Sequence, residues 1–484
     1  MSHPEGVPQG QGAPSAEGNS AGDAPGGLAL ERRGWGVLIA TILGSGMVFL
    51  DSTVVNVALP ALGKSLHAGM AGLQWTVDGY LLTLSALLLL GGSLGDRYGR
   101  RRIYLLGMGM FALASGACGL APSAVWLVAA RVVQGIAGAL LVPASLAIVR
   151  AVFREADQGR AIGIWSGLSG VTTAVGPLLG GWLIDALSWR WVFFLNLPLA
   201  ALGALFTLRF MSETRDPDVG RRLDVLGATL ATLGLAGVTY GLIERVWTLG
   251  MAGALALGIF VFVEAKRRAP MLPLSLFRSR QFSGANVTTL ALYFALNGAL
   301  FLVVITLQSA LGFSALAAGA ALAPLTGVML VLSPLAGKAT TRFGHRIFMT
   351  VGPLVAGCGL LLLTWVRLGA SYLTGVLPGV CVLAVGLGLT VAPLTTAVFQ
   401  GVRTAQAGIA SGVNNAVARI AGLLAVALLP AAAGLSDLSG RAPAALIAGL
   451  HRALWLCALG CALGAVVAFF TVDRSRGPDR PGGA

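Results

Sequence analysis

The stretch Gly92-Ser93-Leu94-Gly95-Asp96-Arg97-Tyr98-Gly99-Arg100-Arg101-Arg102 is a charged connector caught between two apolar runs. Each run is about twenty residues long, the length that crosses a bilayer, so the charges must sit in water at a membrane face. The pattern returns as Gly337-Lys338-Ala339-Thr340-Thr341-Arg342-Phe343-Gly344-His345-Arg346, an offset of 245 from Gly92 to Gly337. Gly92/Gly337, Arg97/Arg342, Tyr98/Phe343, Gly99/Gly344 and Arg101/Arg346 align, while Asp96 faces Thr341. A charged connector repeated at half-chain distance marks a duplicated, multi-span membrane protein.

Composition agrees. Of the 484 residues, 56% are hydrophobic and 11% charged, against about 45–50% and about 25% in a soluble domain. The mean hydropathy is +0.83. The net charge of +14 could suggest nucleic acid, but its distribution argues otherwise. One set of alternate loops and tails carries 25 of the 33 Lys/Arg, the other set 6, and the spans 2. That asymmetry is the positive-inside signal of a membrane protein and not a phosphate-binding face, so no nucleic-acid partner is expected. The five cysteines lie in apolar segments, where Cys457 and Cys461 read as small packing residues. No metal-ligand spacing occurs among the four histidines, and no G-x-x-x-x-G-K-[ST] loop is present for a nucleotide. The chain reads as a non-enzyme without a cofactor or metal.

Apolar runs bounded by charges or Gly/Pro give fourteen spans. They lie near residues 35–60, 73–94, 103–121, 124–149, 161–186, 189–208, 224–244, 246–263, 283–308, 315–337, 347–367, 372–395, 406–432 and 446–470. The run 246–263 is barely long enough to cross, but without it the basic loops would fall on opposite faces. The division that follows is a disordered cytoplasmic tail (1–33), a six-helix bundle (34–208) and a cytoplasmic loop (209–223). Then come an inserted pair of spans (224–265), a cytoplasmic connector (266–281), a second six-helix bundle (282–470) and a cytoplasmic tail (471–484). The connector, with Lys266, Arg267, Arg268, Arg278 and Arg280, is expected to include a short helix on the membrane surface.

Few ionisable residues lie inside the spans, and each has two readings. Asp51 is nine residues from the outer end of span 1, about 14 Å deep, and Arg131 seven from the outer end of span 4, about 10 Å. At comparable depth the two could meet, as a proton carrier with its movable cation or as a static pair that fixes packing. Asp78, about four residues inside span 2, is either a second proton site or a solvated mouth residue. Glu244, at the end of span 7, reads as a boundary charge. Arg131, Gln134, Gly135 and Gly138 share one face of span 4, suited to a cavity wall or a close helix contact. At 100° per residue Asn286, Tyr293, Asn297 and Gln308 fall within about 60° on span 9. That stripe is either a substrate-facing wall or a set of packing hydrogen bonds. Arg419, about fourteen residues into span 13 with Asn415 one turn away, could contact substrate or bind carbonyls between the halves.

Several motifs together carry a resemblance. Span 1 holds Leu50-Asp51-Ser52-Thr53-Val54-Val55-Asn56-Val57-Ala58-Leu59-Pro60, and span 4 has Arg131, Gln134 and Gly135. Span 5 ends in Gly176-Pro177-Leu178-Leu179-Gly180-Gly181, and Trp189-Arg190-Trp191-Val192-Phe193-Phe194-Leu195-Asn196-Leu197-Pro198 follows. With the Gly92–Arg102 loop, these make residues 35–470 resemble the major facilitator superfamily, in its fourteen-span drug:proton antiporter branch. The resemblance implies an all-α fold of two six-helix bundles plus two inserted helices, in a bacterial cytoplasmic membrane with both termini inside. It implies alternating-access export of a small hydrophobic, in one reading cationic, drug or antibiotic by a monomer, with protons and membrane lipids as further partners. The energy is the proton gradient, about 2.3 kcal/mol per charge per 100 mV plus the pH difference. Proton coupling would fall to Asp51, Arg131 and Asp78, and the cavity to Gln134, Asn286, Tyr293, Asn297, Gln308, Asn415 and Arg419. Gly92, Asp96, Arg97, Gly99, Arg100 and Arg101 would form a latch for the outward-facing state, weaker in the second copy where Thr341 replaces the acid. Gly176, Pro177, Gly180 and Gly181 would form a kinked seam, with Gly163, Gly167 and Gly170 also permitting close approach of another helix. The alternative with the same topology is a proton-coupled uptake symporter of a small metabolite.

Overall fold

The structure, a computed structural model, describes residues 31–215, 224–267, 270–400, 402, 406–435 and 442–473. Most of both tails, part of the 209–223 loop, and Arg268 lie outside the described residues. Fourteen described helices are long and apolar enough to cross a membrane. Spans 1–6 are Arg32–Leu66, Met70–Tyr98, Arg100–Gly119, Ala124–Val152, Asp157–Ala186 and Trp191–Phe210. Spans 7 and 8 are Val225–Ile243 and Trp247–Lys266. Spans 9–14 are Arg280–Ser309, Ala315–Phe343, His345–Trp365, Tyr372–Gln400, Ile409–Ala432 and Pro443–Thr471. Every expected span is present, the short eighth included. The connector before span 9 holds a short 3-10 helix, Leu274–Arg278, with Leu276 buried. Glu264 accepts from the Leu272 N–H (2.7 Å), which ties this segment to the end of span 8.

Local chemistry sets the ends. Ser123, Ser279 and Ser314 cap spans 4, 9 and 10, each hydroxyl accepting a first-turn N–H. Gly99 and Gly344 turn the two repeated connectors with φ of 111° and 76°, values that an L side chain resists. Span 6 is interrupted at Leu195, where Trp191–Phe194 gives way to Asn196–Phe210. Pro198 lacks an N–H and is tolerated only in the first turn of the second segment, which explains where the break falls.

In the first six spans the main packing pairs are 2 with 4, 3 with 4, 1 with 5, 1 with 6 and 3 with 6. The same pairs recur eight spans later: 10 with 12, 11 with 12, 9 with 13, 9 with 14 and 11 with 14. Small residues permit the close approaches. A Cβ on Gly135 would strike Thr83 and Tyr80 of span 2, and one on Gly91 the Ala139 carbonyl of span 4. Span 7 packs on both span 2 and span 13, with Leu235 against Leu82, Ala86 and Leu423.

The two sets of six meet where span 5 packs on span 10 and span 2 on span 13, pairings that are each other's equivalents in the repeat. Most of the polar ties lie at the end away from the basic loops. Asp185 accepts the N–H groups of Ala315 (3.1 Å) and Leu316 (2.9 Å). Gln74 donates to the carbonyls of Val426 (2.6 Å) and Ala427 (3.1 Å), and Gln308 to that of Val57 (2.9 Å). Gly181 lies against Ala315 and Leu316, and Gly319 against the Pro177 carbonyl.

Toward the basic end the seam between spans 5 and 10 parts. Gly163, Gly167 and Gly170 share a helix face with Gly181, yet a Cβ on any of them would meet nothing within 4 Å. They therefore face an opening rather than the close contact expected of them. The helix continues through Pro177 without interruption from Glu155 to Ala186. The tight seam consists of Gly176 and Gly180 on Thr53 and Val54 of span 1, and Gly181 on span 10. Gly319→Leu is expected to pry this seam apart. A maleimide confined to the far side should then label a cysteine placed at Gln74 several-fold faster than in the parent; unchanged labelling contradicts the seam as the closed gate.

Candidate functional site

Under the closed end, spans 1, 2, 3, 4 and 6 converge on Asp51. Its side chain is 0% exposed and that of Arg131 is 1% exposed, and the two form an ion pair through Oδ2 and Nη1. Two buried charges are tolerable only when their remaining hydrogen-bonding groups are also served. Here they are. Gln134 Nε2 donates to Asp51 Oδ1 (3.0 Å), and its Oε1 accepts from Arg131 Nη1 (2.8 Å). Asn196 Nδ2 donates to Asp51 Oδ1 (3.3 Å) and to Ser115 Oγ (3.0 Å). Arg131 Nε donates to the Thr76 carbonyl (3.0 Å), and its guanidinium lies 4.2 Å from the centroid of the Tyr80 ring. Ser115 in turn donates to the Phe193 carbonyl (2.8 Å).

Gln134 is thus a member of the ion-pair network, 0% exposed, and does not line a cavity. Asn196, Ser115 and Tyr80 complete the network without having been singled out as site residues. Their signal was faint: a polar residue in each of the apolar runs Phe193–Leu197 and Phe111–Gly116.

Asp78 departs most from expectation. The helix starts at Met70, so Asp78 is two turns in and not at a wet mouth. It is fully buried, and neither carboxyl oxygen has a hydrogen-bond partner among the described residues. Leu82 and Ala86, one and two turns on, pack against Leu235 of span 7 and Leu423 of span 13. Asp78 therefore faces the seam that span 7 covers. Above it, Trp75 Nε1 donates to Glu244 (2.9 Å), so the boundary charge ties span 7 to span 2.

The polar stripe of span 9 divides. Asn286 is buried and accepts from Asn414 Nδ2 (3.2 Å), which also donates to Thr289 (2.8 Å); this is a packing contact with span 13. Gln308 belongs to the closed gate. Asn297 lines a void of about 40 Å³ with Ser52, Asn56, Tyr80 and Arg131, roomy enough for about one water. Tyr293 is an electrostatic neighbour of Arg419, whose guanidinium stands 5.9 Å from the Phe49 ring. Asn415 is exposed and donates to the Ser411 carbonyl (3.2 Å). A larger groove of about 560 Å³ between spans 3, 4 and 6 is lined by Leu113, Leu120, Trp126 and other apolar groups, remote from this chemistry.

The charged loop binds locally. Asp96 pairs with Arg100 (2.8 Å), while Arg101 N–H donates to Glu213 (3.1 Å) and its Nη2 to the Leu208 carbonyl (3.1 Å). Gly92 lies over Pro143, and a Cβ on Gly99 would meet the Glu213 carboxyl. Arg97 lies over the Tyr98 ring (5.5 Å). None of these contacts reaches the second set of six spans, so a latch between the halves is not engaged here. In the second copy Thr341 donates to the Lys338 carbonyl (2.8 Å), within its own turn.

Removing one partner of a buried pair strands the other charge. Arg131→Gln is expected to lower stability by about 3–5 kcal/mol. The isosteric Asp51→Asn should cost less, because its amide oxygen still accepts from Arg131. Unfolding in detergent checks this order, and equal stability of Arg131→Gln and the parent contradicts it.

Known proteins place this geometry in a family. The Major Facilitator Superfamily profile matches residues 41–426. "Multidrug resistance protein Stp" of Mycobacterium tuberculosis is 38% identical over 402 residues, covering 81% of this chain and 74% of that one. The "Tetracenomycin C resistance and export protein" of Streptomyces glaucescens is 36% identical over 84% of this chain and 78% of its own. The "Puromycin resistance protein pur8" of Streptomyces alboniger is 34% identical over 94% of both. A solved bacterial homolog of the human lysosomal transporter Spinster shares the fold at a TM-score of 0.67, with 18% identity over 92% of this chain and 98% of that one. With the profile running from span 1 into span 13, over helices whose packing repeats at an eight-span interval, the chain belongs to the Major Facilitator Superfamily.

Proposed function

We propose that this protein is a proton-coupled exporter of drug-like or antibiotic small molecules across the bacterial cell membrane, working as a monomer by alternating access. The observation that carries the reading is the sealed Asp51–Arg131 network at the apex of a cleft that is closed at one end and open between spans 5 and 10 at the other. The resistance and export named for several relatives supports the direction. The positive-inside bias puts the basic loops, and so the open end, in the cytoplasm.

The chemistry follows from what each acid touches. A proton that reaches Asp51 removes the negative charge that balances Arg131 and leaves a neutral carbonyl as its acceptor. The tie between helices 1 and 4 is thereby weakened, and Thr53 and Val54 of span 1 are what Gly176 and Gly180 of span 5 rest upon. Proton arrival thus acts on the same helix that the gate leans on. Asp78 lies where spans 2, 7 and 13 meet and has no donor to stabilise an ionised carboxylate. It is the second proton-binding position, and rearrangement of the seam between spans 2 and 13 would expose it. The loop at Asp96–Arg102 engages the other half only when the basic end closes.

In everted membrane vesicles energised by an imposed pH gradient, substrate addition should release protons from the lumen in the parent and not in Asp51→Asn. Asp78→Asn should reduce that release at least tenfold with normal abundance. Proton release retained in Asp51→Asn would remove Asp51 from the coupling role. Substrate moving in the same direction as protons would establish the uptake symporter instead.

A further inference from the structure

Arg419 is a cation deep within the spans that the network above does not use. It lies near the middle of span 13, half-buried, on the stripe Gly412, Asn415, Arg419, Gly422 and Val426. This stripe faces the first six spans: Gly412 approaches Leu89, Arg419 lies by Phe49, and Val426 accepts from Gln74. A Cβ on Gly422, one turn above Arg419, would meet the Asn297 side chain at 3.2–3.5 Å. Among the described residues no carboxylate pairs with Arg419, and no acceptor takes a hydrogen bond from it. The ring of Phe49 stands beside it, 5.9 Å from the guanidinium carbon to the ring centroid.

The other charges facing span 13 do not balance it. Asp51 is consumed by Arg131, Gln134 and Asn196. Asp78 has no exposed surface. Glu244 of span 7 is at the closed end, held by Trp75. Span 9 contributes only Arg280 at its basic end, span 12 no charge, and span 14 His451 and Arg452 near its far end. Among the described residues, the middle of span 13 therefore presents a permanent positive charge that no carboxylate balances, because a guanidinium does not deprotonate. The Phe49 ring lies beside it, and Asn415 is one turn before it on the same helix.

We propose that the cleft selects an anion: an apolar, ring-bearing molecule whose carboxylate, phenolate or enolate oxygen pairs with Arg419. The guanidinium fork donates charge-assisted hydrogen bonds to such an oxygen, and the ring of Phe49 beside it offers an apolar face to the rings. A lipophilic cation is disfavoured by the same charge. This deepens the exporter reading and rests on it for direction only, since recognition needs no gradient.

The test is equilibrium binding to the purified protein in lipid nanodiscs, without a proton gradient. The probes are fluorescein, an anion, and a cationic rhodamine built on the same ring skeleton. The parent is expected to bind fluorescein more tightly than the rhodamine. Arg419→Gln should weaken fluorescein about tenfold or more while leaving the rhodamine no weaker, and Arg419→Lys should restore most of the loss. Asn415→Asp, which sets a carboxylate one turn from an intact Arg419, should also weaken fluorescein and guards against a folding defect in Arg419→Gln. A parent that prefers the rhodamine or does not bind fluorescein, or an Arg419→Gln that binds fluorescein unchanged, overturns the proposal. Because no transport is read, failure of the antiport reading in vesicles leaves this outcome unaffected, and the converse holds.

Discussion

The structure turns on an ion pair withdrawn from water. Asp51 and Arg131 would each be intolerable alone at that depth, and they persist because Gln134, Asn196 and the Thr76 carbonyl satisfy what the pair leaves over. Five helices must hold their positions for that to be so. Span 6 must break at Leu195 to present Asn196, span 4 must lie close enough to span 2 for glycine to be required at 135, and Tyr80 must lie flat on the guanidinium. Within the network only Asn196 Oδ1 is left without a partner among the described residues, so a change in its charge acts on all the helices that supply it.

The gate stands on the same helices. Span 1 carries Asp51 and the Thr53–Val54 ledge for span 5 within a single turn. Span 5 then reaches across to span 10 through Gly181 and Asp185. Span 2 makes the equivalent reach to span 13 through Gln74. Close glycine contact at the far end of span 5 and open glycine at its basic end describe one helix pivoting on its outer half. The inserted spans have a place in this scheme, since span 7 covers the line where spans 2 and 13 meet and closes over Asp78.

Most of the fold was legible in the sequence because lipid allows few solutions: apolar length gave every span, and the repeated Gly92–Arg102 pattern gave the two sets of six. The meeting of Asp51 and Arg131 was legible too, from depth alone. What depth cannot give is rotation about a helix axis. Gln134 was therefore assigned to the cavity when it faces the acid, and Asp78 to water when it faces the seam with span 7. Rotation also separates the four polar residues of span 9, which share a stripe but meet different neighbours along thirty residues of helix. Asn414 and Asp185 were invisible because their roles depend on partners more than 120 residues away.

The central claim is that Asp51 changes protonation as the protein engages its cargo. Difference infrared spectroscopy of the lipid-embedded protein reads that event directly, through the carbonyl stretch of a protonated carboxyl group. The account predicts a substrate-induced carboxyl band that is absent in Asp51→Asn and retained in Glu213→Gln. A spectrum unchanged by substrate, or a band that survives intact in Asp51→Asn, would contradict it.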